Sequence, residues 1–84
     1  VITLLYFARL REALGTGREE LALPSGINTL GALRDHLSKR GDAWAREMAD
    51  GRNLRAAVNQ DVAAADTPIK DGDEIAFFPP VTGG

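Results

Sequence analysis

The sequence predicts a two-layer α+β domain: a mixed sheet of about five strands, one main helix and a short second helix. Three observations carry that expectation. A β-branched and aromatic run opens the chain, a leucine-striped helical segment fills its middle, and a series of short strand signals leads to its end. Eighty-four residues with 44% hydrophobic and 26% charged side chains suit one small globular domain. A domain of this size buries roughly 60–65% of the surface its unfolded chain exposes, which leaves little area for an enclosed active site.

The opening run VITLLYFA holds no Gly or Pro and reads as a strand of about seven residues. Alternation puts Ile2, Leu4 and Tyr6 on one face and Val1, Thr3, Leu5 and Phe7 on the other. GTG at 15–17 punctuates the chain, and REELALP supplies a second strand with Leu21 and Leu23 inward, so an antiparallel hairpin is expected. NTLGALRDHLSKRG is the main helix. Asn28 or Thr29 is its expected cap, Leu30, Leu33 and Leu37 form its buried stripe, and Gly41 ends it in the αL conformation. DAWAREMADG repeats the pattern in miniature, with Asp42 as cap, Trp44 and Met48 packing on the main helix, and Gly51 as stop.

LRAAV, the turn NQD and then VAA follow; TPI leads to the turn KDGDE, and EIAFF is the last strand. Within that strand Ile75 and Phe77 share one face while Ala76 and Phe78 share the other. A hairpin, a helix across it and further strands give a two-layer layout, and if the first and last strands are neighbours they must run parallel at its centre, as in the β-grasp arrangement of ubiquitin. His36 reads as a solvent-edge residue, and the charges of REE and SKR as solvated faces.

Composition removes several function classes. A net charge of -2 and a pI near 5.2 argue against nucleic acid as a partner, since phosphate binding needs a basic face. No apolar run approaches a membrane span, and the strand at the first residue leaves no room for a signal peptide, so a cytoplasmic protein is expected. With no cysteine and one histidine, neither a thiolate nucleophile nor a metal site is expected.

The end of the chain, FFPPVTGG, is what remains. Pro79 and Pro80 cannot continue a central ladder, so the globular domain is expected over 1–78 with an extended, mobile tail over 79–84. The prolines restrict the tail in advance, while Gly83 and Gly84, lacking Cβ, let its tip enter a narrow channel. A stiff base with a thin tip suits delivery of the last carboxylate into another protein's site.

LLYFARLREALG, LRDHL followed by WA, AAVNQ and above all DGDEIAFFPPVTGG resemble the molybdopterin synthase small subunits of the ubiquitin-like sulfur-carrier family. The resemblance implies that a ubiquitin-activating-like adenylyltransferase uses ATP to adenylate Gly84, with Gly83 beside it, and that a sulfur donor acting through a sulfurtransferase converts the end to a thiocarboxylate. It implies no bound cofactor. It also implies a subunit not catalytic alone, which gives sulfur to cyclic pyranopterin monophosphate inside the synthase large subunit, in a heterotetramer. Phe7, Val62 and Phe78 would form an apolar docking face, Arg11 a polar rim, and Pro79, Pro80, Val81 and Thr82 the part of the tail inside the partner. A carrier for thiazole synthesis, a ubiquitin-like protein modifier, and a non-covalent interaction module with an inert tail stay open at this point.

Overall fold

The computed structural model describes residues 1–49 and 54–80. Five strands form one sheet: β1 (Ile2–Tyr6), β2 (Arg18–Leu21), β3 (Arg55–Val58), β4 (Asp61–Val62) and β5 (Glu74–Phe78). Among the described residues three helices, α1 (Arg9–Leu14), α2 (Leu30–Ser38) and α3 (Asp42–Met48), accompany them. The strand order is β2-β1-β5-β3-β4, with β1 and β5 parallel at the centre and the other pairs antiparallel. This is the mixed-sheet α+β architecture of a ubiquitin-like β-grasp domain.

Alternation explains the core. Ile2, Leu4 and Tyr6 from β1 and Ile75 and Phe77 from β5 are each no more than 1% exposed, and they face the Leu30, Leu33 and Leu37 stripe of α2. Leu10 of α1 and Met48 of α3 close the two ends of that core, while Leu21 and Leu23 pack partly buried at its margin. Helix α2 is capped by Thr29, whose Oγ1 accepts from the Ala32 N–H at 3.2 Å.

Several local expectations are corrected. A third helix, α1, separates β1 from β2, where a plain hairpin is expected from the sequence. It forms because Leu10 reaches the core, and Gly15, in the αL conformation, ends it by donating to the Arg11 carbonyl at 3.1 Å. Gly41 takes φ 84 with ψ -179, so it is not the αL stop of α2 and instead serves as N-cap of α3 in place of Asp42. TPI forms no strand of its own and contributes a single bridge between Thr29 and Pro68. Asn59 and Gln60, at φ 50 and 74, make the tight two-residue turn between β3 and β4. Gly51, expected to stop α3, lies outside the described residues.

Candidate functional site

The end of β5 defines the site, because the chain leaves the sheet there through Pro79 and Pro80. Register places its neighbours. Tyr6 pairs with Phe77, and the Phe7 N–H donates to the Phe77 carbonyl at 3.1 Å, so Phe7 and Phe78 follow side by side on parallel strands. Both sit on the face opposite the core. Phe7 is 48% exposed and Phe78 half-buried. Across the antiparallel ladder, Arg55 stands opposite Phe78.

One row further back on that face, Leu5, Ala76, Ala57 and Val62 follow one another across β1, β5, β3 and β4. Val62 is 70% exposed at the sheet's edge. The fold therefore brings Phe7 and Phe78 together and sets Val62 two strands away from Phe78. Arg11 lies in α1, its aliphatic stem alongside Gly17: a Cβ at Gly17 would meet Arg11 Nε at 3.0 Å and Cδ at 3.1 Å. Val81, Thr82, Gly83 and Gly84 lie outside the described residues.

Beneath the aromatic pair is a polar cluster that sequence reasoning missed. The Tyr6 hydroxyl donates to Glu19 Oε1 at 2.9 Å, and Arg40 clasps the same carboxylate with Nη1 at 2.8 Å and Nη2 at 3.0 Å. The Arg40 guanidinium covers the Trp44 ring at 4.4 Å, and Trp44 meets the Tyr6 ring edge-on at 5.3 Å. Phe77 stacks on the other side of Tyr6 at 6.2 Å. The hydrogen bonds from Arg40 hold the Glu19 carboxyl below its ordinary range. Burial, reinforced by Glu19, pushes the Tyr6 phenol upward, which keeps it a proton donor. The cluster holds Tyr6 and Phe77, the residues immediately before Phe7 and Phe78, at the end of β5. Glu19 and Arg40 are thus working partners, not the solvated charges expected from REE and SKR.

Elsewhere the ion pairs tie the frame together. Glu47, 5% exposed, accepts from Arg9 at 2.9 Å and joins α1 to α3. Asp73, also 5% exposed, accepts from Asn59 Nδ2 at 3.0 Å and from the Lys70 N–H at 2.9 Å, which hold its carboxyl low. Among the described residues no three His, Asp or Glu side chains gather as metal ligands, and no helix is long and apolar enough to cross a membrane. A groove of about 270 Å³ lies between the start of α2 and the β3 and β4 hairpin, lined mainly by Leu30, Leu54, Ala56, Ala63 and Phe77. Arg34 and Arg55 also line it, and among the described residues its lining offers no carboxylate, imidazole or hydroxyl.

A β-grasp body whose last strand ends in Pro79 and Pro80, beside the exposed Phe7 and the half-buried Phe78, defines the class: a small ubiquitin-like domain. The sequence profile of the ThiS family matches residues 4–84, and the chain belongs to that family. It is 49% identical over 84 residues to the molybdopterin synthase sulfur carrier subunit of Escherichia coli K12, covering 100% of both chains. Its fold resembles the crystal structure of SAMP1 from Haloferax volcanii, with TM-score 0.77 and 30% identity over 99% of this chain and 98% of that one. It also resembles a chain in the complex of subunits 1 and 2 of the molybdopterin-converting factor from Helicobacter pylori, with TM-score 0.65 and 25% identity, covering 99% of this chain and 97% of that one.

Proposed function

We infer that the chain is the sulfur-carrier subunit of a molybdopterin synthase, a non-catalytic subunit that acts with a partner enzyme. The observation that carries this reading is the 49% identity to the Escherichia coli subunit across the whole of both chains, tail included. The chemistry fits a chain with no cysteine. Its Gly84 carboxylate attacks the α-phosphorus of ATP in an activating enzyme, giving an acyl adenylate and pyrophosphate. Sulfide-level sulfur from a donor then adds to the acyl carbon and expels AMP, leaving a thiocarboxylate. Inside the large subunit the thiocarboxylate sulfur bonds to a side-chain carbon of the cyclic pyranopterin precursor as a C–O bond of that carbon breaks and its oxygen leaves. Water then cleaves the resulting thioester, which leaves the sulfur on the pterin and returns Gly84 to its carboxylate; a second loaded carrier supplies the second sulfur in the same way.

Each protein part has a physical task in this scheme. Pro79 and Pro80 reduce the entropy lost when the tail is threaded. Val81, Thr82 and Gly83 cross the partner's cleft, and Phe7, Phe78 and Val62 supply apolar docking area with Arg11 at its rim. The setting is cytoplasmic, where ATP and reduced sulfur are both at hand. Intact-mass measurement after incubation with the activating enzyme, ATP and a sulfur source should show one oxygen replaced by sulfur at the terminus. A chain lacking Gly84 should show no such gain and no dithiolene formation with the large subunit. Full activity in that truncation would overturn the reading.

A further inference from the structure

Among the described residues, seven of the nine Lys and Arg side chains are occupied within the fold. Arg9 and Arg46 hold Glu47, Arg18 meets Glu20, Arg40 clasps Glu19, and Lys39 and Lys70 lie beside Asp35 and Asp73. Arg34 donates to the Met48 and Ala49 carbonyls. Among the described residues, only Arg11 and Arg55 have neither an ion pair nor a side-chain hydrogen bond. Formal charge makes this unusual, since the chain carries 12 Asp and Glu against 10 Lys and Arg.

Their position is equally selective. Arg55 stands opposite Phe78 on β3, and Arg11 lies beyond Phe7 on the β2 side, against Gly17. The two unpaired arginines therefore bracket the aromatic pair where the tail leaves the sheet. At the far end of the same face the register aligns Glu20, Thr3 and Glu74 in one row, so carboxylates collect there. Arg11 and Arg55 thus stand at the tail end of the outer face, and Glu74 stands at the opposite end in the row of Glu20, which Arg18 neutralises.

We propose that Arg55 is a second cationic docking contact, and that the partner receiving the tail carries two carboxylates, one on each side of an apolar seat, for Arg11 and Arg55. The proposal rests on the carrier reading above. Charges at an interface rim contribute little affinity each, but they steer the encounter and fix orientation. A partner docked the wrong way round would set its carboxylates away from Arg11 and Arg55 and near Glu74, and would lose both ion pairs. The right orientation aims the tail at the cleft.

The test is association of the full chain with its cognate large subunit, measured by surface plasmon resonance across a series of NaCl concentrations. Arg55→Leu should weaken binding roughly threefold to tenfold, chiefly through slower association, and flatten its salt dependence. Arg55→Glu should weaken it further, and Arg55→Lys should restore most of both effects. A merely structural role for Arg55 would change thermal unfolding and leave the salt slope intact. Wild-type association rate and salt slope in both Arg55→Leu and Arg55→Glu would overturn the proposal alone. Failure of the wild-type chain to bind at any salt concentration would overturn the carrier reading and this proposal with it.

Discussion

Glu19 shows how one side chain supports a site it never touches. Its carboxylate accepts from Tyr6 and from both Arg40 nitrogens, and each bond favours the charged form. Its folded pKa is therefore depressed below its ordinary 4.5. A depressed carboxyl contributes stability above the unfolded pKa, and that contribution is lost as pH falls through the folded one. Glu19→Gln should cost about 1 kcal/mol near neutrality, given partial solvent exposure. The gap between wild type and variant should close below about pH 4.5. Urea unfolding of both proteins across acid pH checks this. The difference between the curves isolates Glu19, because buried Asp73 titrates in the same direction in both proteins. A gap that persists unchanged at low pH would show that packing, not charge, holds the cluster. None of this was legible in the sequence, since Glu19 and Arg40 meet only after β2 docks beside β1 above the end of α2.

Elements were legible in proportion to their length and their punctuation. Helix α2 could be read from Thr29 and three leucines at helical spacing, and β1 and β5 from alternation, including the outward facing of Phe7 and Phe78. Helix α1 could not, because six residues hold less than two turns of pattern and Ala8 offers no capping side chain. Strand β4 is only two residues long, too short to declare a face. One further feature of α2 makes a prediction. Gly31 donates to the Ala65 carbonyl at 2.7 Å, and a Cβ there would sit 3.1 Å from that oxygen and 3.2 Å from Ala65 Cβ. Gly-to-Ala changes inside helices usually gain up to about 1 kcal/mol. Here the added methyl must push aside the backbone that the same residue holds by hydrogen bond. Gly31→Ala should therefore lower stability by about 1 kcal/mol, read from the thermal or urea midpoint. Adding Ala65→Gly should recover part of that loss, since it removes one of the two close contacts. A stabilised single variant would mean that the 64–69 segment yields freely.

The molecule as a whole is organised around its first and last strands. β1 and β5 lie side by side at the centre of the sheet, each with neighbours on both edges and each burying its inward side chains completely. Their pairing closes almost the entire chain into one loop, so it cannot form until the rest of the chain is gathered. β4 is different: it pairs only with β3, and both its residues are exposed. Local opening there costs little buried area, whereas opening β1 from β5 exposes the whole core. Native-state hydrogen exchange should therefore find its slowest amides in β1 and β5. The Ala63 amide, bonded to the Ala56 carbonyl at 3.0 Å, should exchange at least about a hundredfold faster through sub-global opening. Equal protection at Ala63 and along β1 would mean that the sheet opens only as a unit. The distinction bears on the proposed function, because residues 79–84 follow β5 directly. Under that proposal, aiming the terminus into another protein needs β5 to be the last strand to move, with the soft edge two strands away.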